Sequence, residues 1–415
     1  MGSSAADAGA EPVEASGTSF GAVAMTVARL GVHSIWDGLR RQRPLALDSI
    51  PYSIDVVTPE WLTAALCRQH PTARVESFQC TRASSGSTSR AALHVRYDAA
   101  GRGARLPEQV FAKATPRFTS RVLCTLTGAM ACEVAFYEKV RHELDIEAPP
   151  GLYGAYDPRT GRSMLLFEDI AATKGCTFLD PRARISLDQA QDMVSLLARL
   201  HARYWGSPRL ESEFRWLRSS GDYLDDIQRV IAFDRRSLIG FDRGSDVIPE
   251  KLKRRRHDIW PTTLRSLRLN SAHPRVYLHH DVHIGNWYCT GEGRMGLTDW
   301  QCNVKGQWAS DVAYAISSAL QVEDRRAWER DLVRLYLDQV AAAGAPAPAF
   351  DDAWLQYRQQ LFHGFVFWLF TLGHGPLQPL MQPDAFSLLN VGRMANAIVD
   401  LEALESLNHG PSGGA

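Results

Sequence analysis

An α+β fold of two lobes is predicted: a small β-rich lobe carrying one key helix, then a larger, mainly helical lobe. Three observations predict it. From Val75 to Lys113 short apolar runs alternate with Ser/Gly/Pro-rich turns, the period of strands. After Asp169 the apolar spacing becomes helical almost throughout. One β-rich island, Val276 to Trp300, interrupts those helices. The 415 residues, 45% hydrophobic and 22% charged, have the balance of a globular protein and the length of one two-lobed unit with tails.

In chain order, residues 1–17 are Ala/Gly/Ser/Glu-rich and expected to be disordered. A helix follows over Phe20 to Gln42, closed by Pro44. Thr58-Pro59-Glu60-Trp61 starts the next, with Thr as N-cap and Pro at the first helical position. Strands are predicted at Ala91–Tyr97 and Gln109–Ala112, a helix at Val122–Leu144, and two strands at Leu152–Tyr156 and Met164–Phe167 joined by the turn Asp157–Gly161. Ser186-Leu187-Asp188-Gln189 is a capping box opening a helix to about Tyr204. Further helices are predicted at 222–235, 250–269, 308–321, 324–343, 352–372 and 384–405, and Gly410 to Ala415 reads as mobile. The chain divides into 1–50, a tail and helical extension; 51–169, the N-lobe; 170–405, the C-lobe; and 406–415, a flexible tail.

Forty-six Lys+Arg balance 46 Asp+Glu, so bulk nucleic acid is not an implied partner. The seven cysteines form no C-x-x-C pair, which fits a reducing cytosol better than a disulfide framework. The N-terminus is a poor signal peptide, and the most apolar stretch, Phe365 to Leu372, is far too short to insert across a membrane. A cytoplasmic protein is expected, of unspecified oligomeric state.

The strongest chemical signal is His279-His280-Asp281-Val282-His283-Ile284-Gly285-Asn286, followed by Leu297-Thr298-Asp299-Trp300. The first element has the H-x-D-x-x-x-x-N spacing of kinase catalytic loops, which chance supplies in about 0.01 copies per chain of this composition. Phosphoryl transfer needs a carboxylate to orient the attacking hydroxyl and take its proton, and hard oxygen ligands for Mg²⁺. Asp281 is assigned as base, with Asn286 and Asp299 on the metal.

These motifs resemble the aminoglycoside phosphotransferase/choline kinase group, small-molecule kinases of the protein-kinase-like fold, over roughly residues 50–405. Asp-Trp-Gln at 299–301 is similar to the ecdysteroid-kinase-like branch in particular. The resemblance implies an ATP- and Mg²⁺-dependent enzyme phosphorylating a small-molecule alcohol. Val110-Phe111-Ala112-Lys113 resembles the strand whose lysine holds ATP phosphates, and Lys113 is the first of only six lysines beside 40 arginines. Glu133 resembles the helix glutamate that pairs with it. The Ser84–Ser89 segment, with Ser85, Gly86 and Ser87, resembles a phosphate-covering loop but lacks G-x-G-x-x-G. Phe167–Ile170 resembles the interlobe hinge, placing Glu168 and Ile170 at the adenine. Leu197–Ala202 resembles the long helix before the catalytic loop, His279 a brace for that loop, and Asp311 the aspartate that holds its backbone. His280 departs from the group, which usually has glycine there.

Bland readings stand beside these. His201 reads as a structural helix histidine, the run Lys251–Arg256 as a solvated face, and the aromatics of Trp354–Phe370 as mostly core, the rest facing a bulky apolar acceptor. The C-terminal helices carry no concentrated acidic patch of the kind a polycationic aminoglycoside favours. Two other functions compete: a zinc or dinuclear metallohydrolase using His279, His280, Asp281 and His283, and a nucleotide-binding pseudokinase scaffold.

Overall fold

The computed structural model describes residues 20–85, 88–375 and 381–409. The first lobe is built on a five-stranded antiparallel sheet of β1 (Val75–Ser85), β2 (Ser89–Tyr97), β3 (Gln109–Ala114), β4 (Gly151–Asp157) and β5 (Arg162–Glu168), in the order β1-β2-β3-β5-β4. Strand alternation sorts the side chains by face. Val110 and Ala112 of β3 join a core with Leu93, Val95, Leu166 and Trp61, while Phe111 turns to the other side with Leu165 and Phe167. The register sets Lys113 opposite Arg90 on one neighbour and Leu165 on the other.

Helices α1 (Phe20–Arg40), α2 (Pro59–Leu66), α3 (Ala99–Gly103), α4 (Phe118–Thr127) and α5 (Ala129–Lys139) complete this lobe. Thr58 caps α2 as expected, its hydroxyl accepting from Trp61 N at 3.1 Å. α1 is pinned by Asp37, which is buried and accepts from Arg121 Nη1 at 2.7 Å and from Arg162. The single helix expected over Val122–Leu144 is two. Gly128 adopts φ +72° and turns the chain between α4 and α5, while the apolar period runs on across the break.

The second lobe holds α6 (Ile170–Lys174), α7 (Leu187–Arg203), α8 (Ser220–Ile231), α9 (Phe233–Arg243), α10 (Glu250–Lys253), α11 (Ile259–Ser271), α12 (Ala309–Ala319), α13 (Val322–Ala342), α14 (Phe350–Gln359), α15 (Phe362–Leu372), α16 (Asp384–Asp400) and α17 (Ala403–Ser406). The capping box at Ser186–Gln189 is present with both hydrogen bonds. Four expected helices are likewise divided. 222–235 breaks at Ala232 (φ 47°), 384–405 at Glu402 (φ 47°), 352–372 between α14 and α15, and 250–269 between α10 and α11. The β-rich island is β7 (Val276–Leu278), β8 (Trp287–Cys289) and β9 (Met295–Leu297). β8 and β9 form a hairpin, with β6 (Thr177–Phe178) on its edge, and β7 pairs with β10 (Val304–Gly306). The basic run is neutralised locally: Arg254 pairs with Glu250, Arg255 with Asp258 and Arg256 with Asp242. Tyr357, Phe362, Phe365 and Trp368 are core. Among the described residues no helix is long and apolar enough to cross a membrane.

Candidate active site

Lys113 lies at the centre. Its Nζ donates to Glu133 Oε2 at 2.7 Å and Oε1 at 3.0 Å, and to Asp299 Oδ1 at 2.8 Å. β3 delivers the lysine, α5 the glutamate, and the turn after β9 the aspartate. Lys113 and Glu133 are 4% and 1% exposed, so neither charge is affordable without the other. Burial opposes the ammonium, but Asp299 and Glu133 outweigh it and raise the lysine. Burial likewise opposes charge on Asp299, yet Lys113 and Arg90 hold it down at about 2. Glu133 is pushed up by its enclosure, despite the attraction of Lys113.

The catalytic-loop candidates hang on Asp311, whose two carboxylate oxygens accept from His279 N at 2.8 Å and His280 N at 2.9 Å. His201, fully buried, holds Asp311 Oδ2 at 3.4 Å and Tyr336 Oη at 2.8 Å. The ring of His279 spans two segments: Nε2 donates to Thr298 O at 2.9 Å, and Nδ1 accepts from Asp281 N at 3.2 Å. The strand that brings Asp299 is thereby tied to the loop that brings Asp281. Trp300 adds a second tie, stacking on Phe136 of α5 at 3.9 Å.

Asp281 Oδ1 accepts from Tyr314 Oη at 3.2 Å. Its Oδ2 accepts from Asn286 Nδ2 at 3.2 Å, which also donates to the Asp281 carbonyl at 2.7 Å. Two non-glycine residues here adopt left-handed backbone, His280 (φ 68°) and Asp299 (φ 65°), a conformation that costs roughly 1–2 kcal/mol each. The expected glycine-to-histidine departure at 280 therefore falls where the backbone favours glycine.

Two cavities meet at this point. One, of about 300 Å³, lies under the sheet and is lined by Lys113, Glu133, Phe167, Glu168 and Ile170. The other, of about 360 Å³, is lined by Asp281, Tyr223, Phe367 and Trp368. Arg90, Asn286 and Asp299 face both. Of the phosphate-loop candidates, Gly86 and Ser87 lie outside the described residues, and Ser85 closes the β1–β2 ladder against Ser89.

Sequence reasoning missed Arg90, whose Nη2 lies 3.3 Å from Asp299 Oδ2, and the bond from Tyr314 to Asp281. Only the cross-strand register with Lys113 marks Arg90, and register is not visible in one strand. The histidines do not converge on a metal. His279 faces Thr298 O, His280 stacks on His363 at 3.6 Å, and His283 Nδ1 accepts from Gly285 N at 3.1 Å. Among the described residues no three His, Cys, Asp or Glu side chains are placed to share a metal ion.

A model of the phosphotransferase enzyme family matches residues 120–354, more than half of the chain, and the chain belongs to that family. It is thereby a phosphotransferase of the small-molecule kinase class, with the bilobal α+β architecture that the resemblance implied. The match is to the family and does not single out the ecdysteroid-kinase-like branch. Similar solved structures include the GDP complex of wild-type aminoglycoside 2'-phosphotransferase-IIIa, with TM-score 0.48 and 10% identity over 82% of this chain and 98% of that one. Choline kinase LicA from Streptococcus pneumoniae is similar with TM-score 0.43 and 11% identity, over 82% and 98%. Macrolide 2'-phosphotransferase MphH from Brachybacterium faecium is similar with TM-score 0.42 and 13% identity, over 78% and 96%. No curated protein sequence matches.

Proposed function

We propose that the protein transfers the γ-phosphoryl group of ATP to a hydroxyl of a small, fairly apolar metabolite, assisted by Mg²⁺ and with Asp281 as base. The observation that carries this is the meeting of the two cavities at Arg90, Asn286 and Asp299, with Lys113 bridging Glu133 and Asp299 on one side and Asp281 on the other.

ATP occupies the cavity under the sheet, its adenine toward the Glu168–Ile170 backbone and its phosphates at Lys113, with Ser85, Gly86 and Ser87 as their cover. Glu133 keeps the lysine charged and aimed. Asp299 and Asn286 are oxygen donors on the shared wall, a set that suits Mg²⁺, and they would hold it. The ion would neutralise charge developing on the phosphates. Asp281 orients the acceptor hydroxyl and takes its proton as the oxygen attacks phosphorus and the bond to the departing ADP breaks. Tyr314 and Asn286 fix the carboxylate for that task. His279 and Asp311 position the loop without touching substrate.

Calorimetry of Mg-ATP with wild type, Lys113→Ala and Asp299→Ala tests the donor half. Binding that requires Mg²⁺ and weakens at least tenfold in both variants is expected, and a folded wild type that binds no nucleotide overturns the reading. A scaffold would bind equally and show no Asp281-dependent turnover.

A further inference from the structure

The chamber around Asp281 is not closed at its far end. A second, larger cavity of about 770 Å³ lies between α4 and the α8–α9 pair. Leu123, Thr127, Ile227, Ile231, Phe370 and Met381 line both, so one apolar wall runs from the catalytic chamber out along the groove. Val122, Leu126 and Ile239 line the groove alone.

Charge changes sign along this path, from carboxylates in the chamber to arginines in the groove. The carboxylates of the chamber, Asp281 and Asp299, are held by Tyr314 and Asn286 and by Lys113 and Arg90. The charged residues of the groove are Arg229, which pairs with Asp226 at 3.6 Å, and Arg235 and Arg236, with no carboxylate among its described lining residues. Several rings of the chamber turn a face to one another, and a cage for a quaternary ammonium needs open aromatic faces. Phe233 stacks on Phe370 at 4.5 Å and His280 on His363 at 3.6 Å, so these faces cover one another, and Tyr223 lies parallel to Phe367 at 6.1 Å.

Resting on the kinase reading above, we infer that the acceptor is a non-cationic alcohol with an extended apolar body, its hydroxyl at Asp281 and its body running through the chamber into the α4/α8–α9 groove. A site of 360 Å³ is at the small end for a ligand, and the groove supplies the remaining volume. A cationic body running into the groove meets Arg235 and Arg236 and gains no countercharge there.

The test separates binding from chemistry. The apolar anion 8-anilinonaphthalene-1-sulfonate is titrated by fluorescence into wild type, Leu126→Trp and Ile239→Trp, then competed with 1-dodecanol, 1-butanol or choline. Expected are saturable binding by wild type, weakening of at least tenfold in both groove variants, and displacement by 1-dodecanol but not by choline. ADP release is measured in parallel, and the ratio of kcat/KM for 1-dodecanol over 1-butanol should fall at least tenfold in both variants. Binding unaffected by either tryptophan, displacement by choline, or choline as the preferred acceptor each overturns the inference. Mg-ATP calorimetry on the same wild-type sample judges the kinase reading independently. Nucleotide binding with no groove binding sinks only the acceptor assignment.

Discussion

The two cavities that meet at Asp299 are built from different material. The one under the sheet is made by charge: Lys113 pairs with both Glu133 and Asp299 within 3.0 Å, and the lysine and glutamate are nearly closed to solvent. The one around Asp281 is made by volume, with aromatic rings from α8, α9 and α15 packed on one another and a histidine, His280, whose two ring nitrogens find no partner among the described residues. Buried charges must find each other exactly or cost several kcal/mol, so the first cavity is tightly specified. Apolar walls tolerate exchange of shape at similar volume, so the second, the proposed acceptor chamber, is the less tightly specified of the two.

The largest break in this contrast is Asp281→Asn. Turnover should fall about 10³-fold while Mg-ATP affinity stays within about twofold, because the proposed base lies on the proposed acceptor side alone. Single-turnover ADP release beside calorimetry reads it, and a variant as active as wild type removes Asp281 from the chemistry.

Next is Glu133→Gln, which leaves the enclosed lysine with Asp299 alone. About 2–3 kcal/mol of stability should go, and Mg-ATP affinity with it, since breaking a buried pair exposes an uncompensated charge. Urea unfolding checks the first and calorimetry the second. An unchanged midpoint would mean that Asp299 suffices.

Acid should loosen the acceptor side before the donor side. His279, His280 and His363 are all held below the ordinary imidazole value of 6.5, chiefly by burial. The fold therefore favours their neutral form, and the unfolded chain takes up protons first as the pH drops. Stability is complete above about pH 6.5 and declines below it. Asp299, held at about 2 against an ordinary 3.8, yields its contribution only as the pH falls through that lower window. Urea midpoints at pH 7.5 and pH 5.0 should differ, and His280→Asn, which accepts left-handed backbone, should lessen the difference.

The smallest effect expected is Gly128→Ala, at about 1–2 kcal/mol. A side chain there must hold φ +72°, with its Cβ 3.1 Å from Arg218 Nη2. Cys124, Thr127 and Ala129 flank this break and line the cavity around Asp281, the proposed acceptor chamber. KM for the alcohol should rise more than KM for ATP, and equal shifts would show that the break does not shape the chamber.

What could be read from sequence were features whose cause is local. Thr58-Pro59 and Ser186–Gln189 cap helices through atoms three residues apart, strands declare themselves by alternation, and the spacing from His279 to Asn286 is the length of one loop around one carboxylate. Lys113 and Glu133 were legible through the family resemblance, and Lys113 also as a rare lysine in a chain that otherwise uses arginine. Breaks at Gly128, Ala232 and Glu402 were hidden, since the apolar period continues across them. The Arg90–Asp299 contact depends on strand register, and the bond from Tyr314 to Asp281 on α12 lying against the catalytic loop. The acceptor chamber is an assembly of rings from α8, α9 and α15, distant in sequence, each individually an ordinary core residue. Whether such a ring ends in the core or on a cavity wall is decided by how the helices pack, because burial is a property of the neighbours and not of the residue.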